Sequence, residues 1–131
     1  MIPKLIDESF NVLLEAGYSS TVAWFVSFYE VKQIADLISK IGLEDFYKAV
    51  SDTAEYGGMN QSKKLVSKEF KNEMKSALAH IQSGEFHSQW KEETESGYPE
   101  LSKMRLSQRD SPLNQITKKM LEILNNNKDE S

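Results

Sequence analysis

Between Val22 and Gly42 the chain is apolar on more than one stripe of a helix, and this stretch constrains the fold more than any other. Phe25, Phe28, Tyr29, Ile34, Leu37, Ile38 and Ile41 recur at helical rather than alternating spacing. A helix that is apolar on several faces has to be covered from several sides. It is either the central helix of an all-helical fold or a helix shared with a second subunit. Ser19 and Ser20 precede it as capping residues, and Gly42 ends it.

The flanking segments keep the same period. Leu5, Ile6, Phe10, Leu13 and Leu14 fall on one face of a first helix, stopped by Gly17. Leu43 to Tyr56 reads as a third helix, with Glu44 and Asp45 suited to its N-terminus and Gly57-Gly58 at its end. Residues 58–64 read as a loop. A fourth helix runs from Val66 to Gln82 with Phe70, Met74, Ala77, Leu78 and Ile81 at helical spacing, and Ser83-Gly84 stops it. A short helix carries Phe86 and Trp90, after which Gly97-Tyr98-Pro99 breaks the chain. The last helix has Ser111 as N-cap, Pro112 at its first position and Leu113, Ile116, Met120, Ile123 and Leu124 as one apolar stripe. Residues 1–125 are thus expected to form one all-α domain, and 126–131 a polar, disordered tail.

Composition removes several classes of function. A chain of 131 residues is one domain or a piece of a larger one. It has no cysteine, which excludes disulfides and thiolate metal sites, and nothing argues for secretion. No apolar run suits a signal peptide or a membrane span, so a cytoplasmic protein is expected. The net charge of -4 is spread along the chain, which disfavours nucleic acid as a partner. Lys63, Lys64, Lys68 and Lys71 are interrupted by Glu69 and Glu73 and read as a solvated helix face.

There is no nucleophile elbow and no glycine-rich phosphate loop. His80 and His87 read as surface or packing residues. Glu92, Glu93 and Glu95 point in different directions and read as a solvated face. That leaves Glu30, Asp36 and the polar heptapeptide Ser51-Asp52-Thr53-Ala54-Glu55-Tyr56-Gly57. Glu30 lies in the most apolar helix, where a carboxylate is costly unless it reaches water, a cation or a donor. Pairing with a nearby lysine such as Lys32 is the bland alternative. The heptapeptide is either a solvated turn or the floor of a site.

Several stretches in order resemble the C-terminal domain of ketol-acid reductoisomerase, also called acetohydroxyacid isomeroreductase. They are Leu14-Glu15-Ala16-Gly17-Tyr18, Ala23-Trp24-Phe25, Tyr29-Glu30-Val31-Lys32-Gln33-Ile34-Ala35-Asp36-Leu37-Ile38 and the heptapeptide. Downstream come Ile81-Gln82-Ser83-Gly84-Glu85-Phe86 with Trp90, Gly97-Tyr98-Pro99, Met104-Arg105 and Ser111-Pro112-Leu113. The resemblance covers nearly the whole chain.

It implies a helical, knotted domain, intertwined as a homodimer, that follows an N-terminal Rossmann domain binding NADPH. The implied activity is the conversion of 2-acetolactate or 2-aceto-2-hydroxybutyrate to a 2,3-dihydroxy acid, in isoleucine and valine synthesis. In it an Mg²⁺-dependent alkyl shift precedes hydride transfer, and two Mg²⁺ ions sit among carboxylates. Residue by residue, the resemblance makes Ser51 substrate-binding, with Val50 and Ala54 as pocket neighbours. A metal-binding pair of Glu residues four apart falls on Val26 and Glu30, so Glu30 keeps its role and Val26 has lost the ligand. A further Asp and Glu pair falls upstream of Met1. The Gly-Pro-Arg that often follows the heptapeptide is replaced by Met59-Asn60-Gln61-Ser62.

The chain by itself is therefore expected to be catalytically incomplete, and a separate Rossmann-type reductase half is a candidate partner. A non-catalytic dimerisation or regulatory module is the alternative, and a metal-free small-molecule binder using the pocket around Ser51 is a third reading. Val26 is expected to gain packing in exchange for the ligand, since burying a valine contributes about 1.5–3 kcal/mol.

Overall fold

The computed structural model describes residues 1–126. It is all α, with no strand among the described residues. The helices are α1 (Ile2–Glu15), α2 (Ser20–Trp24), a π-helical turn (Phe25–Tyr29), α3 (Glu30–Ala49) and α4 (Asp52–Leu65). They continue with α5 (Lys68–Gln82), α6 (Glu85–Glu95), α7 (Pro99–Arg109) and α8 (Pro112–Asn126). Of the expected polar tail, Asn126 is still helical and the rest lies outside the described residues. The chain divides into two compact units, one of Met1–Lys40 with the chain from Met104 onward, the other of Ile41–Lys103.

The first unit is built around Trp24. Helix α1 stops where Gly17 takes a left-handed φ of 88°. There Tyr18 N–H reaches back to Leu13 O at 3.0 Å and Gly17 N–H to Leu14 O at 2.9 Å, which satisfies carbonyls that the ending helix would leave open. Ser19 then starts α2, its Oγ accepting from Val22 N–H at 3.3 Å. Phe10, Ala23, Trp24 and Met120 form the buried core, with Leu13, Leu14, Phe28, Leu113, Ile116 and Leu124 packed against it. The expected continuous helix from Val22 is interrupted, because Glu30 N–H bonds to Phe25 O one residue beyond the α-helical partner. The wider turn lets several rings gather on Trp24. Phe28 stacks at 5.4 Å, Phe25 meets it edge-on at 5.1 Å and Tyr29 is tilted at 5.6 Å.

The expectation of burial on several sides holds only for the start of this stretch. Ala23, Trp24 and Ser27 are buried, but α3 buries no residue and Ile34 is exposed. The break expected at Gly42 is present as a kink, with φ 79° and ψ 173°.

Two expectations about the second unit are corrected. The helix expected over Leu43–Tyr56 is cut at Ser51, whose extended backbone (φ -67°, ψ 150°) caps a new helix. The loop expected over residues 58–64 is instead the second half of α4. Glycine is a poor helix former, yet α4 runs through Gly57-Gly58 because its ends are well served. Ser51 caps it, Asp52 and Glu55 occupy its first turn, and Lys63 and Lys64 its last, as the helix dipole favours. Helix α5 starts in the same way, Ser67 Oγ accepting from Phe70 N–H at 3.3 Å. The expected Ser111 cap of α8 is also present, accepting from Asn114 N–H at 3.2 Å.

Candidate functional site

The heptapeptide is not a loose turn; it is the opening of α4. Ser51 Oγ accepts from Ala54 N–H at 3.2 Å, so the hydroxyl both caps the helix and keeps its own proton for another acceptor. Ser51 and Ala54 are exposed, and Val50 before them is half-buried. The three therefore cluster at one helix start, in the second unit.

Val26 and Glu30 lie in the first unit, respectively on and just after the π turn. Val26 is 50% exposed and lines an apolar groove of about 370 Å³ with Ile2, Leu5, Ile6, Leu13 and Val31. The expected packing gain at Val26 is thus corrected: half the side chain still meets solvent in this chain. Glu30 is exposed and reaches water. Lys32 pairs instead with Asp36, both exposed, so the expected alternative of a Glu30–Lys32 pair is not formed and Asp36 belongs to a solvated ion pair. Surface pairs of this kind stabilise little.

A hard divalent cation needs several oxygen ligands around it. Among the described residues, no group of three or more His, Asp or Glu side chains gathers to hold a metal ion. Glu30 is a single carboxylate beside an apolar groove, so the residues present do not by themselves fit an Mg²⁺ site. No helix among the described residues is long and apolar enough to cross a membrane.

A cleft of about 220 Å³ in the first unit contains none of the expected site residues. Part of its polar lining is already engaged: Thr117 Oγ1 takes the Trp24 indole N–H at 2.9 Å and donates to Leu113 O at 2.7 Å, while Asn114 Nδ2 donates to Arg109 O at 2.8 Å.

Two side chains do more than the sequence suggested. Glu93, expected on a solvated face, accepts from Leu101 N–H at 2.8 Å and so caps α7 from the preceding helix. The signal was present at Pro99: the residue before it is Tyr98, which has no short side-chain oxygen to cap with, so the acceptor must come from elsewhere. His80 bridges two helices, its Nδ1 2.8 Å from Glu85 Oε2 and its Nε2 3.0 Å from Gln89 Oε1. Glu85 first, and Gln89 second, raise its pKa above the ordinary histidine value.

The sequence model of the family described as "Ketol-acid reductoisomerase, C-terminal domain" matches residues 1–126. The chain belongs to this family. Among curated ketol-acid reductoisomerases (NADP(+)), that of Methanocaldococcus jannaschii is 35% identical over 91% of this chain and 36% of its own. That of Pyrobaculum neutrophilum is 38% identical over 92% of this chain and 37% of its own. A solved NADH-preferring ketol-acid reductoisomerase from an uncultured archaeon superposes with a TM-score of 0.90 at 30% identity, over 92% of this chain and 37% of that one. The chain thus spans little more than a third of the length of these reductoisomerases, and its all-helical fold is that of their matching region.

Proposed function

We propose that this chain is the C-terminal domain of a cytoplasmic ketol-acid reductoisomerase of branched-chain amino-acid biosynthesis. It acts with a Rossmann-type domain that brings NADPH, either in the same polypeptide or as a separate partner. The observation that carries this reading is the match over residues 1–126 together with its fold-level agreement. Within the domain, Ser51 offers its hydroxyl to the substrate, Val50 and Ala54 shape the pocket beside it, and Glu30 supplies one carboxylate toward Mg²⁺. Glu30 alone would not hold Mg²⁺, and the further oxygen ligands would have to come from outside the described residues.

The domain works as a homodimer. Helices α4 to α7 bury no residue, and α5 leaves Met74, Leu78 and Ile81 exposed at helical spacing. Exposed apolar side chains repeating along one helix face mark an interaction surface, which a second copy would cover.

The test mixes the chain with the Rossmann-type half of a relative and follows NADPH oxidation on 2-acetolactate with Mg²⁺. Activity should need both components, and Ser51→Ala should lower kcat/KM by about ten- to a hundredfold, as expected for one lost substrate contact. No rate with either the natural chain or Val26→Glu would overturn the enzymatic reading. Val26 itself favours the second reading, a non-catalytic dimerisation or regulatory module, because an apolar side chain occupies a position where the resemblance implies a ligand. In that case the dimer forms and its melting temperature ignores Mg²⁺.

A further inference from the structure

Where α5 turns into α6, a single side chain joins the two helices through both ends of its ring. His80 stands in the last turn of α5, with Glu85 and Gln89 one turn apart on the side of α6 that faces it. Its two ring nitrogens lie 2.8 Å and 3.0 Å from a carboxylate and an amide oxygen. Oxygens of this kind only accept. A neutral imidazole has one N–H and one bare nitrogen, so it can serve one of them; the doubly protonated ring serves both. With the ring neutral, the Gln89 amide must turn over to keep its contact, and Glu85 faces an uncharged donor.

The surroundings support the charged form. Glu85 is the charged side chain that faces the ring from α6, and the Phe86 ring stands edge-on at 6.5 Å. From α5 the final residues Ala79, Ile81 and Gln82 add no charge, and the carbonyl end of the helix favours a cation. The corner itself is only Ser83-Gly84, with Gly84 at a left-handed φ of 84°. Ser83 Oγ donates to His80 O at 3.0 Å and accepts from Glu85 N–H at 3.3 Å, so the corner's own hydrogen bonds run through the same residues.

We propose that His80 is a proton-operated clamp on the α5–α6 corner, closed while the ring holds two protons and loosened when it gives one up. The clamp sets how rigidly α6 presents Phe86 and Trp90, two large apolar side chains that α6 leaves exposed. The sign follows from the hydrogen bonds: Glu85 and then Gln89 raise the folded-state pKa above 6.5. The clamp is therefore fully closed below the unfolded-state value near 6.5 and is lost as pH rises through the raised folded value.

Amide exchange of Ser88 to Lys91 in the full chain, corrected for intrinsic base catalysis, tests this between about pH 5.5 and about pH 8.5, the span over which a histidine titrates. Protection should fall by about two- to fivefold across a single step, the size expected for an exposed charge-assisted pair. The NMR titration midpoint of His80 should coincide with the step. His80→Gln should remove the step without unfolding the chain, and Glu85→Gln should move the midpoint down. A step that survives His80→Gln, a flat profile, or a midpoint unmoved by Glu85→Gln would each overturn the proposal.

Discussion

The indole of Trp24 is fully buried, and a buried N–H has to find an acceptor. Thr117 supplies it from α8, 93 residues further along the chain. Thr117→Val should therefore strand the indole N–H and cost about 1–3 kcal/mol in urea denaturation. Loss of no more than a few tenths would mean that the hydrogen bond is dispensable. Glu93 makes the second residue-scale case. Its carboxylate is the cap that Tyr98 cannot provide, so Glu93→Ala should destabilise by about 0.5–2 kcal/mol, the range for a lost N-cap. Glu92→Ala and Glu95→Ala, on the same helix, serve as controls and should be near neutral. The sequence shows that Tyr98 leaves the start of α7 without a cap of its own, but which side chain supplies the acceptor, there and for the Trp24 indole, depends on how the helices come to lie.

At the scale of the element, the helices owe their limits to local chemistry. Ser19, Ser51, Ser67 and Ser111 each accept from the amide three residues on, and each starts a helix. Ser19 and Ser111 were legible because an apolar periodic run follows at once. Ser51 was not, because the residues after it are polar and the signal of a core-facing stripe is missing. The same absence made residues 58–64 look like a loop. Gly57 and Gly58 reinforced that impression, although the Ser51 cap and the complementary charges at the two ends of α4 outweigh them. Gly57 has a helical backbone, and a methyl group there would meet nothing within 4 Å. Gly57→Ala should thus raise the unfolding free energy by about 0.5–1 kcal/mol. Gly42 is the opposite case, with φ 79° and open space around it. Gly42→Ala should destabilise by about 1–3 kcal/mol through backbone strain alone, because positive φ with ψ 173° is adopted readily only by glycine. Equal melting temperatures for the two variants would contradict this reading of the helix breaks.

For the whole molecule, the decisive contrast is between a small buried core and many exposed apolar side chains. The core holds Phe10, Ala23, Trp24 and Met120, whereas Leu43, Tyr56, Met74, Leu78, Ile81 and Phe86 all remain more than half exposed. If a second copy covers these faces, folding and association are one equilibrium and stability depends on protein concentration. The melting temperature should then rise by about 2–4 °C for each tenfold increase in concentration, given typical unfolding entropies for a complex of this size. Sedimentation should show a dimer throughout the folded baseline. A monomer with a concentration-independent melting temperature would refute it.

The sequence by itself determined the all-helical class and several helix starts and stops, since period, caps and left-handed glycines act over a few residues. It also determined family membership, because the quoted stretches recur in order over nearly the whole chain. Only the tertiary structure decided that the π turn gathers three aromatic rings on Trp24, that Val26 faces a half-open apolar groove, and that Glu93 and His80 tie neighbouring helices together. Those outcomes depend on which surfaces meet, and burial and hydrogen-bond partners are properties of contacts that a local pattern does not contain.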